Sequence, residues 1–393
     1  MSLVRLAVFL AVVVALTVVT HRYLWVRFIR DPAWPRPWRR AATFALVALA
    51  VAMPAGLALW RIVGADAARP LSYVGATWSG VLLIVVFVLL AVDALRSANA
   101  LGRRLARRPA PVDGDRRRLL ARALACATGT GAAGLSGVAF ASASRPPAVV
   151  RVRIALAKLP PAFEAFRIVQ LTDVHVGPIL RREFLADLVA RTNALEPDAV
   201  AITGDLVDGS VDELRDVVAP LGDLRARQGV FFVTGNHEYY SGAEAWLAHL
   251  TTLGVRVLRN ERVELRRGAE VIDLAGIDDA TAKDFGPPHG ADLDRALAGR
   301  DARRVVILLA HQPRQVFDAE RLGVDLQLSG HTHGGQIAPF GLFVRLVQPV
   351  VAGLGRFGPT TLYVSRGAGT WGPPMRLANP AEITVVELTR PPA

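Results

Sequence analysis

The sequence predicts a helical membrane region followed by a layered α/β domain with a buried sheet. Two observations predict this order. Residues 1–148 contain long apolar runs separated by arginine-rich stretches, whereas residues 149–393 contain short β-like runs that alternate with helical patterns. Strands that alternate with helices are typical of a sheet covered by helices. At 393 residues the chain has room for both regions.

The composition indicates that part of the chain lies in lipid. Hydrophobic residues make up 52% of the sequence and the mean hydropathy is +0.33, which is high for a soluble protein. The net charge of +12 would suit nucleic-acid binding. Much of the excess, however, flanks the apolar runs in two arginine groups: Arg22, Arg27, Arg30, Arg36, Arg39 and Arg40, then Arg103, Arg104, Arg107, Arg108, Arg116, Arg117 and Arg118. Such arginines are more often topology signals, so we expect a membrane and no nucleic acid as a partner.

Three to four transmembrane helices are predicted, at about 3–20, 41–60, 73–95 and 119–144. About 20 apolar residues cross about 30 Å of hydrocarbon as a helix, and the first three segments meet this test. The fourth is richer in small residues and is either a span or an export signal. Arg116-Arg117-Arg118 before it resembles a twin-arginine motif, and Ala141-Ser142-Ala143 resembles a cleavage site.

The arginine distribution predicts a multi-pass protein of the cell membrane and its orientation. The stretches 22–40 and 96–122 are dense in arginine, whereas 61–72 carries only two arginines and one aspartate. Arginine-rich loops stay in the cytoplasm, so the N-terminus should be outside. Four crossings then place the α/β domain outside the cytoplasm. If the fourth segment does not cross, that domain is cytoplasmic.

The pattern of the second region predicts a series of strands and two longer helices. The helices are predicted at 181–195, where Phe184, Leu185, Leu188 and Val189 share one face, and at 211–227. The predicted strands are 167–172, 198–203, 230–234, 270–275, 304–309, 325–328, 361–365 and 382–388.

Polar residues that suit metal chemistry follow five of these strands. Open α/β sheets build their sites at such strand ends. Taken singly, the other clusters have ordinary explanations as a turn, a cap or an ordinary histidine, whereas two histidines two apart in the glycine-rich turn 330–336 have no packing rationale. Five clusters in order make coincidence improbable. They are Asp173 with His175, Asp205 with Asp208, Asn236 with His237 and Glu238, His311 alone, and His331 with His333.

In chain order these clusters read DxH, GDxxD, GNHE, a single His and GHTH, an order that resembles the calcineurin-like metallophosphoesterase family. The stretch 363–374 also resembles the membrane-anchored bacterial branch of that family. The resemblance implies a four-layer α/β/β/α sandwich with its site at one edge. It also implies two divalent metal ions, Mn, Fe or Zn, for which carboxylate and imidazole ligands are suited.

The resemblance assigns a role to each cluster. Asp173, His175 and His333 would hold one metal ion, and Asp205 would bridge it to a second ion. The second ion would be held by Asn236, His311 and His331.

Three further residues lie beside these ligands. His237 would act as the general acid or steady the phosphoryl oxygens. Glu238 would orient His237, and Asp208 would fix a ligand histidine. Asp208 and Glu238 have an equally good alternative explanation as carboxylates at helix starts.

The implied function is hydrolysis of a phosphomonoester or phosphodiester by metal-activated water at the membrane or envelope. A membrane anchor favours a lipid-linked phosphoester as the substrate. A cytoplasmic-facing hydrolase of nucleotide-linked lipid precursors is the alternative, and a non-catalytic membrane receptor on this fold is less favoured because every ligand residue is present. A transporter is disfavoured because the first three runs contain almost no polar residue apart from Asp93. No oligomeric state is predicted.

Overall fold

The computed structural model describes residues 3–63, 65–107 and 113–391. Arg108 of the second arginine group therefore lies outside the described residues. The chain forms two compact units, one of Met1–Ala141 with Gly372–Met375 and one of Ser142–Trp371 with Arg376–Ala393. We refer to them as the helical unit and the α/β unit.

The helical unit contains, among its described residues, four helices that are long and apolar enough to cross a membrane. They are α1 (Leu3–Leu24), which continues as a π-helical segment over Trp25–Arg30, α2 (Arg36–Val63), α3 (Ala65–Leu105) and α4 (Gly114–Ala143). These helices extend well past the predicted apolar runs. The arginine-rich stretches are therefore largely helical, because Arg, Ala and Leu are good helix formers and the backbone hydrogen bonds continue beyond the apolar residues.

Asp93, the one acidic residue in the first three apolar runs, is paired in the structure. It lies in α3 and accepts a hydrogen bond from Tyr23 Oη at 2.6 Å and another from Arg27, both from the α1 segment. An ionisable side chain in a membrane helix is costly unless it is paired in this way. Trp78 Nε1 of α3 also donates to His21 Nε2 at 2.9 Å.

The α/β unit contains twelve strands and seven further α-helices in its described residues. The strands are β1 (Ala148–Ala155), β2 (Phe166–Leu171), β3 (Ala199–Ile202), β4 (Val230–Phe232), β5 (Arg256–Val257), β6 (Glu261–Arg267), β7 (Glu270–Gly276), β8 (Val306–Leu309), β9 (Leu326–Ser329), β10 (Gly353–Phe357), β11 (Thr360–Val364) and β12 (Glu382–Thr389). The helices are α5 (Arg182–Asn193), α6 (Val211–Val218), α7 (Asn236–Ser241), α8 (Ala243–Thr252), α9 (Leu293–Ala296), α10 (Val316–Arg321) and α11 (Gly341–Val344).

These strands form two six-stranded sheets, with orders β1-β12-β2-β3-β4-β5 and β10-β11-β9-β8-β7-β6. Strands β2 to β5 are parallel in the first sheet, and β7, β8, β9 and β11 are parallel in the second. Parallel strands end at the same edge, so the residues that follow β2, β3, β4, β8 and β9 can converge there.

The two sheets pack against each other between two layers of helices. Along β3, Val200 packs with α5, α6 and α8, whereas Ala201 faces the core between the sheets. Along β8, Ile307 belongs to that inner core and Leu308 packs with α9 and α10. This alternation follows from the period of two in a strand. The arrangement is the predicted four-layer α/β/β/α sandwich.

Most differences from the predicted elements have a local cause. The predicted helix 211–227 ends at Val218 and continues as a 3-10 segment over Ala219–Asp223, because Pro220 cannot donate the hydrogen bond that a helix interior requires. Strands β1, β5, β6 and β10 were not predicted. They lie toward the outer edges of the two sheets and alternate polar or glycine residues with apolar ones, so they lack the buried apolar runs of the central strands.

Candidate metal centre

The predicted ligands follow the central strands and meet at one edge of the sandwich. Asp173 and His175 follow β2, Asp205 follows β3 and Asn236 begins α7 just after β4. From the second sheet, His311 follows β8, and His331 and His333 follow β9. Gln170 joins the two sheets behind them, because its Nε2 donates to Thr203 Oγ1 and to the Ser329 carbonyl, each at 2.9 Å.

Asp173, His175 and His333, which we call the first donor group, are buried and close together. His175 Nε2 and His333 Nε2 are 3.1 Å apart, and His333 Nε2 is 3.3 Å from Asp173 Oδ1. The Asp173 carboxylate also accepts hydrogen bonds from the Thr172 hydroxyl at 2.8 Å and from the His331 backbone N–H at 3.0 Å. These contacts fix the carboxylate beside the two imidazoles.

His311 and His331 lie next to the first donor group. Together with Asn236, which the family resemblance adds to them, we call them the second donor group. His331 Nδ1 is 3.2 Å from His311 Nε2. His311 Nδ1 donates to the Thr203 carbonyl at 2.8 Å, so its Nε2 keeps a lone pair. Asn236 Oδ1 is buried and accepts no hydrogen bond from a described residue.

Asp205 lies between the two donor groups. Its Oδ2 is 3.1 Å from His311 Nε2 of the second group and 3.9 Å from His175 Nε2 of the first. The residue is buried, with 3% of its surface exposed. Its Oδ1 accepts a hydrogen bond from the His237 backbone N–H at 2.9 Å. One carboxylate is therefore in reach of both groups.

The chemistry of these residues fits divalent metal ions. In each donor group two imidazole nitrogens lie about 3 Å apart beside a carboxylate. The lone pairs of two such nitrogens can bind the same cation. The buried Asn236 oxygen without a partner is otherwise costly and suits a cation. Among His, Asp, Glu and Cys side chains of the described residues, three compact groups could hold a metal ion: Asp173 with His175 and His333, Asp205 with His311 and His331, and Asp208 with His175 and His237.

The backbone is strained at the same positions. Asp173, His175, Asp205, His331 and His333 all have φ between 50° and 71°. This left-handed conformation costs energy for residues other than glycine, and such strain is often found at functional sites. Here the left-handed conformation turns the chain sharply after each of these strands and directs the Asp or His side chain toward the shared edge.

Two glycines allow the carboxylates to approach the backbone. A Cβ atom on Gly235 would lie 2.2 Å from Asp205 Oδ1, and one on Gly330 would lie 2.2 Å from Asp173 Oδ2. Any side chain at either position would displace a carboxylate. The glycines that precede Asn236 and His331 in the sequence motifs are therefore required by packing.

Asp208 connects the first donor group to His237. Its carboxylate accepts hydrogen bonds from His175 Nδ1 at 3.1 Å and from His237 Nδ1 at 2.5 Å. His175 is thereby held with Nε2 toward His333. Burial opposes its ionisation, but the two histidines lower the pKa of Asp208 overall. Burial alone would lower the pKa of His237. The charge of Asp205 and the hydrogen bond to Asp208 outweigh burial and raise the pKa of His237 to about 9.

The prediction that Glu238 orients His237 is wrong. The Glu238 carboxylate accepts hydrogen bonds from three backbone N–H groups, those of Gly235 at 2.6 Å, Asp205 at 3.0 Å and Leu206 at 2.8 Å. It lies in the first turn of α7, so the alternative of a carboxylate at a helix start applies. Burial and the Asp205 charge raise the pKa of Glu238 to about 7. Glu238 thus shapes the turns around Asp205.

Arg376, which belongs to none of the sequence motifs, is fully buried behind the first donor group. Its guanidinium donates to the carbonyls of Arg366 at 2.9 Å and Asn379 at 3.0 Å and also to that of Gly369, and its Nη2 lies 3.4 Å from His333 Nδ1. Burial lowers the pKa of Arg376 to about 10. An arginine within an apolar stretch close to the strand β12 was the only signal in the sequence.

Two exposed aromatic residues beside His237 were also missed. The rings of Tyr240 and Trp371 meet the His237 ring nearly edge to face, with centroid distances of 5.4 and 5.9 Å. Both rings remain more than half exposed. They form the accessible side of the site next to the proposed acid.

Comparison with known proteins agrees with this geometry. Residues 166–335 match the profile of the calcineurin-like phosphoesterase family. The chain is 40% identical over 333 residues to a transmembrane protein with metallophosphoesterase domain of Bos taurus, covering 82% of this chain and 74% of that one. The protein of the same description from Danio rerio is 35% identical over 97% of this chain and 89% of its own length. An uncharacterized metallophosphoesterase of Helicobacter pylori is 45% identical over 56% of this chain and 59% of its own.

These relatives match both the α/β unit and, for the two vertebrate proteins, much of the helical unit. The motif order, the convergence of the predicted donors at one sheet edge and the length of these matches agree with one another. The chain therefore belongs to the calcineurin-like metallophosphoesterase family, as a membrane protein with a phosphoric ester hydrolase domain.

Proposed function

We propose that the chain hydrolyses phosphomonoesters or phosphodiesters with a dinuclear metal centre. The observation that carries this proposal is the position of Asp205, whose Oδ2 lies 3.1 Å from His311 Nε2 and 3.9 Å from His175 Nε2. A carboxylate between two donor groups suits a bridging ligand, because its two oxygens can serve two cations. The first donor group would hold one ion, and Asn236, His311 and His331 would hold the other.

The residues around the donors support the assignment of one metal ion to each donor group. When bound, two divalent ions would stabilise charge on the phosphoryl oxygens and lower the pKa of a water so that it attacks phosphorus. Asp208 fixes the tautomer of His175, and the Thr203 carbonyl fixes that of His311, so each presents a free Nε2. The strained turns hold these side chains in place before substrate arrives.

His237 is the proposed general acid. Its Nδ1 donates to Asp208 at 2.5 Å, which leaves the Nε2 of the protonated ring to donate a proton to the leaving oxygen. Its ring is partly exposed between Tyr240 and Trp371, so a leaving group can reach it. The same two aromatic rings would contact the leaving group. The ring is therefore in a position to protonate a leaving alkoxide.

A direct test uses the purified full-length protein. Chelation should remove activity against a panel of soluble monoesters and diesters, and reloading with Mn²⁺, Fe²⁺ or Zn²⁺ should restore it. Metal content should reach two ions per chain in the active sample. Full activity after complete chelation, or activity that saturates with a single bound ion, would contradict the dinuclear proposal.

We also propose that residues 1–148 form the membrane region, that all four helices cross, and that residues 149–393 form a catalytic domain outside the cytoplasm. The arginine-rich ends of the helices support this orientation, since 22–40 and 96–122 should remain inside. The helix α4 begins among these arginines and ends at Ala143, shortly before β1. It is 30 residues long, which is enough to cross as a helix.

The topology can be tested with reporter fusions after Val150. Alkaline phosphatase, which is active only outside the cytoplasm, should be active there. A fluorescent protein that matures only in the cytoplasm should stay dark. The opposite pair of results would place the domain in the cytoplasm, and a hydrolase of nucleotide-linked lipid precursors would then become the better proposal.

A further inference from the structure

Residues 340–347 of the α/β unit expose a concentration of large apolar side chains. Phe340, Leu342, Phe343, Leu346 and Val347 have 42%, 64%, 51%, 81% and 70% of their surface exposed. Single exposed apolar residues are common on soluble domains, but five within eight positions are not. We call residues 340–347 the apolar protrusion.

The apolar protrusion is folded. It contains the short helix α11, and the backbone N–H groups of residues 342–348 all donate to carbonyls of residues 339–344. A segment can enter a bilayer only if its backbone groups are paired in this way. Its C-terminal end is fixed by Gln348, whose buried side chain accepts a hydrogen bond from the Arg314 backbone N–H at 3.0 Å.

The charge of the chain segment that carries the protrusion suits an anionic membrane surface. Residues 336–357 contain no Asp or Glu, whereas they contain two arginines, Arg345 and Arg356, both exposed. Apolar side chains beside cationic ones are typical of segments that lie in the headgroup region of a bilayer.

The short link between α4 and β1 would also keep the α/β unit close to a bilayer. If α4 crosses the membrane, only four residues separate its end at Ala143 from the start of β1 at Ala148. Such a link spans at most about 18 Å when fully extended. The α/β unit therefore cannot move far from the lipid surface.

We propose that the apolar protrusion inserts into the outer part of the lipid bilayer and delivers lipids with phosphoester headgroups to the metal centre. This proposal rests on the proposed hydrolytic function. The protrusion follows the GHTHGG motif directly: Gly335 packs so closely on Gly341 that a Cβ atom on Gly335 would lie 2.5 Å from the Gly341 Cα. Insertion therefore places the loop that carries His331 and His333 at the membrane surface.

Insertion can be measured without reference to catalysis. Cys126 is the only cysteine, so a Cys126→Ser background allows a single label at Leu346→Cys. The full chain carrying an environment-sensitive fluorophore there is reconstituted in vesicles of phosphatidylcholine with some phosphatidylserine. Nitroxide groups placed high on the lipid acyl chains should quench the label.

The matched control is the same label at Ala269→Cys. Ala269 is exposed in the turn between β6 and β7, at the opposite edge of the sheet from β10. This label should not be quenched. Equal quenching at both positions, or none at residue 346, would overturn the proposal. A label at residue 346 that responds to protein concentration but not to nitroxide lipids would instead indicate contact between two copies.

A kinetic test separates insertion from hydrolysis. Leu342→Ser with Leu346→Ser alters only exposed side chains, so the fold and the turnover of a soluble phosphoester should stay unchanged. For a phosphoester lipid presented in vesicles, such as phosphatidic acid, the apparent KM should rise roughly tenfold or more. Equal turnover of the vesicle lipid by both proteins contradicts the proposal, while inactivity of the unaltered chain on every ester contradicts the proposed function instead.

Discussion

The first donor group is supported mainly by other side chains, whereas the second is supported mainly by the main chain. His175 is held by Asp208, and His333 lies against Arg376. In the second group, His311 is held by the Thr203 carbonyl. Asn236 follows Gly235, whose backbone lies against the Asp205 carboxylate. Side-chain supports can be removed singly by substitution, so the first group is the one whose supports can be tested one at a time.

The largest effect is expected at Asp205, which lies between the two groups. Asp205→Asn should abolish hydrolysis and reduce the content of both metal ions, because a neutral amide with one acceptor oxygen bridges two cations poorly. Metal analysis and turnover of a soluble ester measure this. Asp216→Asn, at an exposed aspartate of α6, is the control. Full activity in a folded Asp205→Asn variant would contradict the proposal that the Asp205 carboxylate bridges the two metal ions.

The next largest effect is expected at His237, which shares the Asp208 carboxylate with His175 and meets the His175 ring edge to face at a centroid distance of 4.7 Å. His237→Ala should lower kcat by about 10²–10⁴ and leave the metal content nearly unchanged, because a general acid is lost and a ligand is not. The loss should shrink for esters with good leaving groups, which need little protonation. His331→Ala is the comparison variant, because it should lose metal. A similar metal loss in both variants would make His237 a ligand.

Asp208→Asn tests the side-chain support of the first group directly. Loss of the carboxylate frees both His175 and His237, so activity should fall by about 10–100-fold, with the metal of the first donor group lost in preference to that of the second. Spectroscopy of a Co²⁺-substituted sample can separate the two sites. Asp212→Asn, at an exposed carboxylate near the start of α6, should change nothing. Equal loss of both ions would mean that the two groups are not supported separately.

The smallest effect on chemistry, but a measurable one on stability, is expected at Arg376. Arg376→Met should lower the free energy of unfolding by about 3 kcal/mol, because several buried carbonyls lose their donor. Thermal and denaturant unfolding measure this, with the exposed Arg267→Met as the control. Residual folded protein should keep the metal of the second group. Unchanged stability would show that water can replace the guanidinium as the hydrogen-bond donor to these carbonyls.

The sequence determined much of this protein on its own. Four apolar runs were long enough to predict membrane helices, and buried apolar runs marked the central strands, because both signals depend on local composition and periodicity. The clusters from Asp173 to His333 follow five of the predicted strands in an order that resembles the calcineurin-like family, and that resemblance assigned them as donors. The residues of the site could therefore be named before their geometry was known.

The tertiary structure alone decided how those residues are supported. The sequence neighbours His237 and Glu238 have different partners, since the first donates to Asp208 and the second accepts from the backbone of Asp205. Arg376 reaches His333 from 43 residues away, and the left-handed turns and the exposed apolar protrusion have no local signature. Such features arise from contacts between distant segments, because the packing of two sheets fixes which side chains meet. Local propensity cannot specify these contacts, and only the folded chain reveals them.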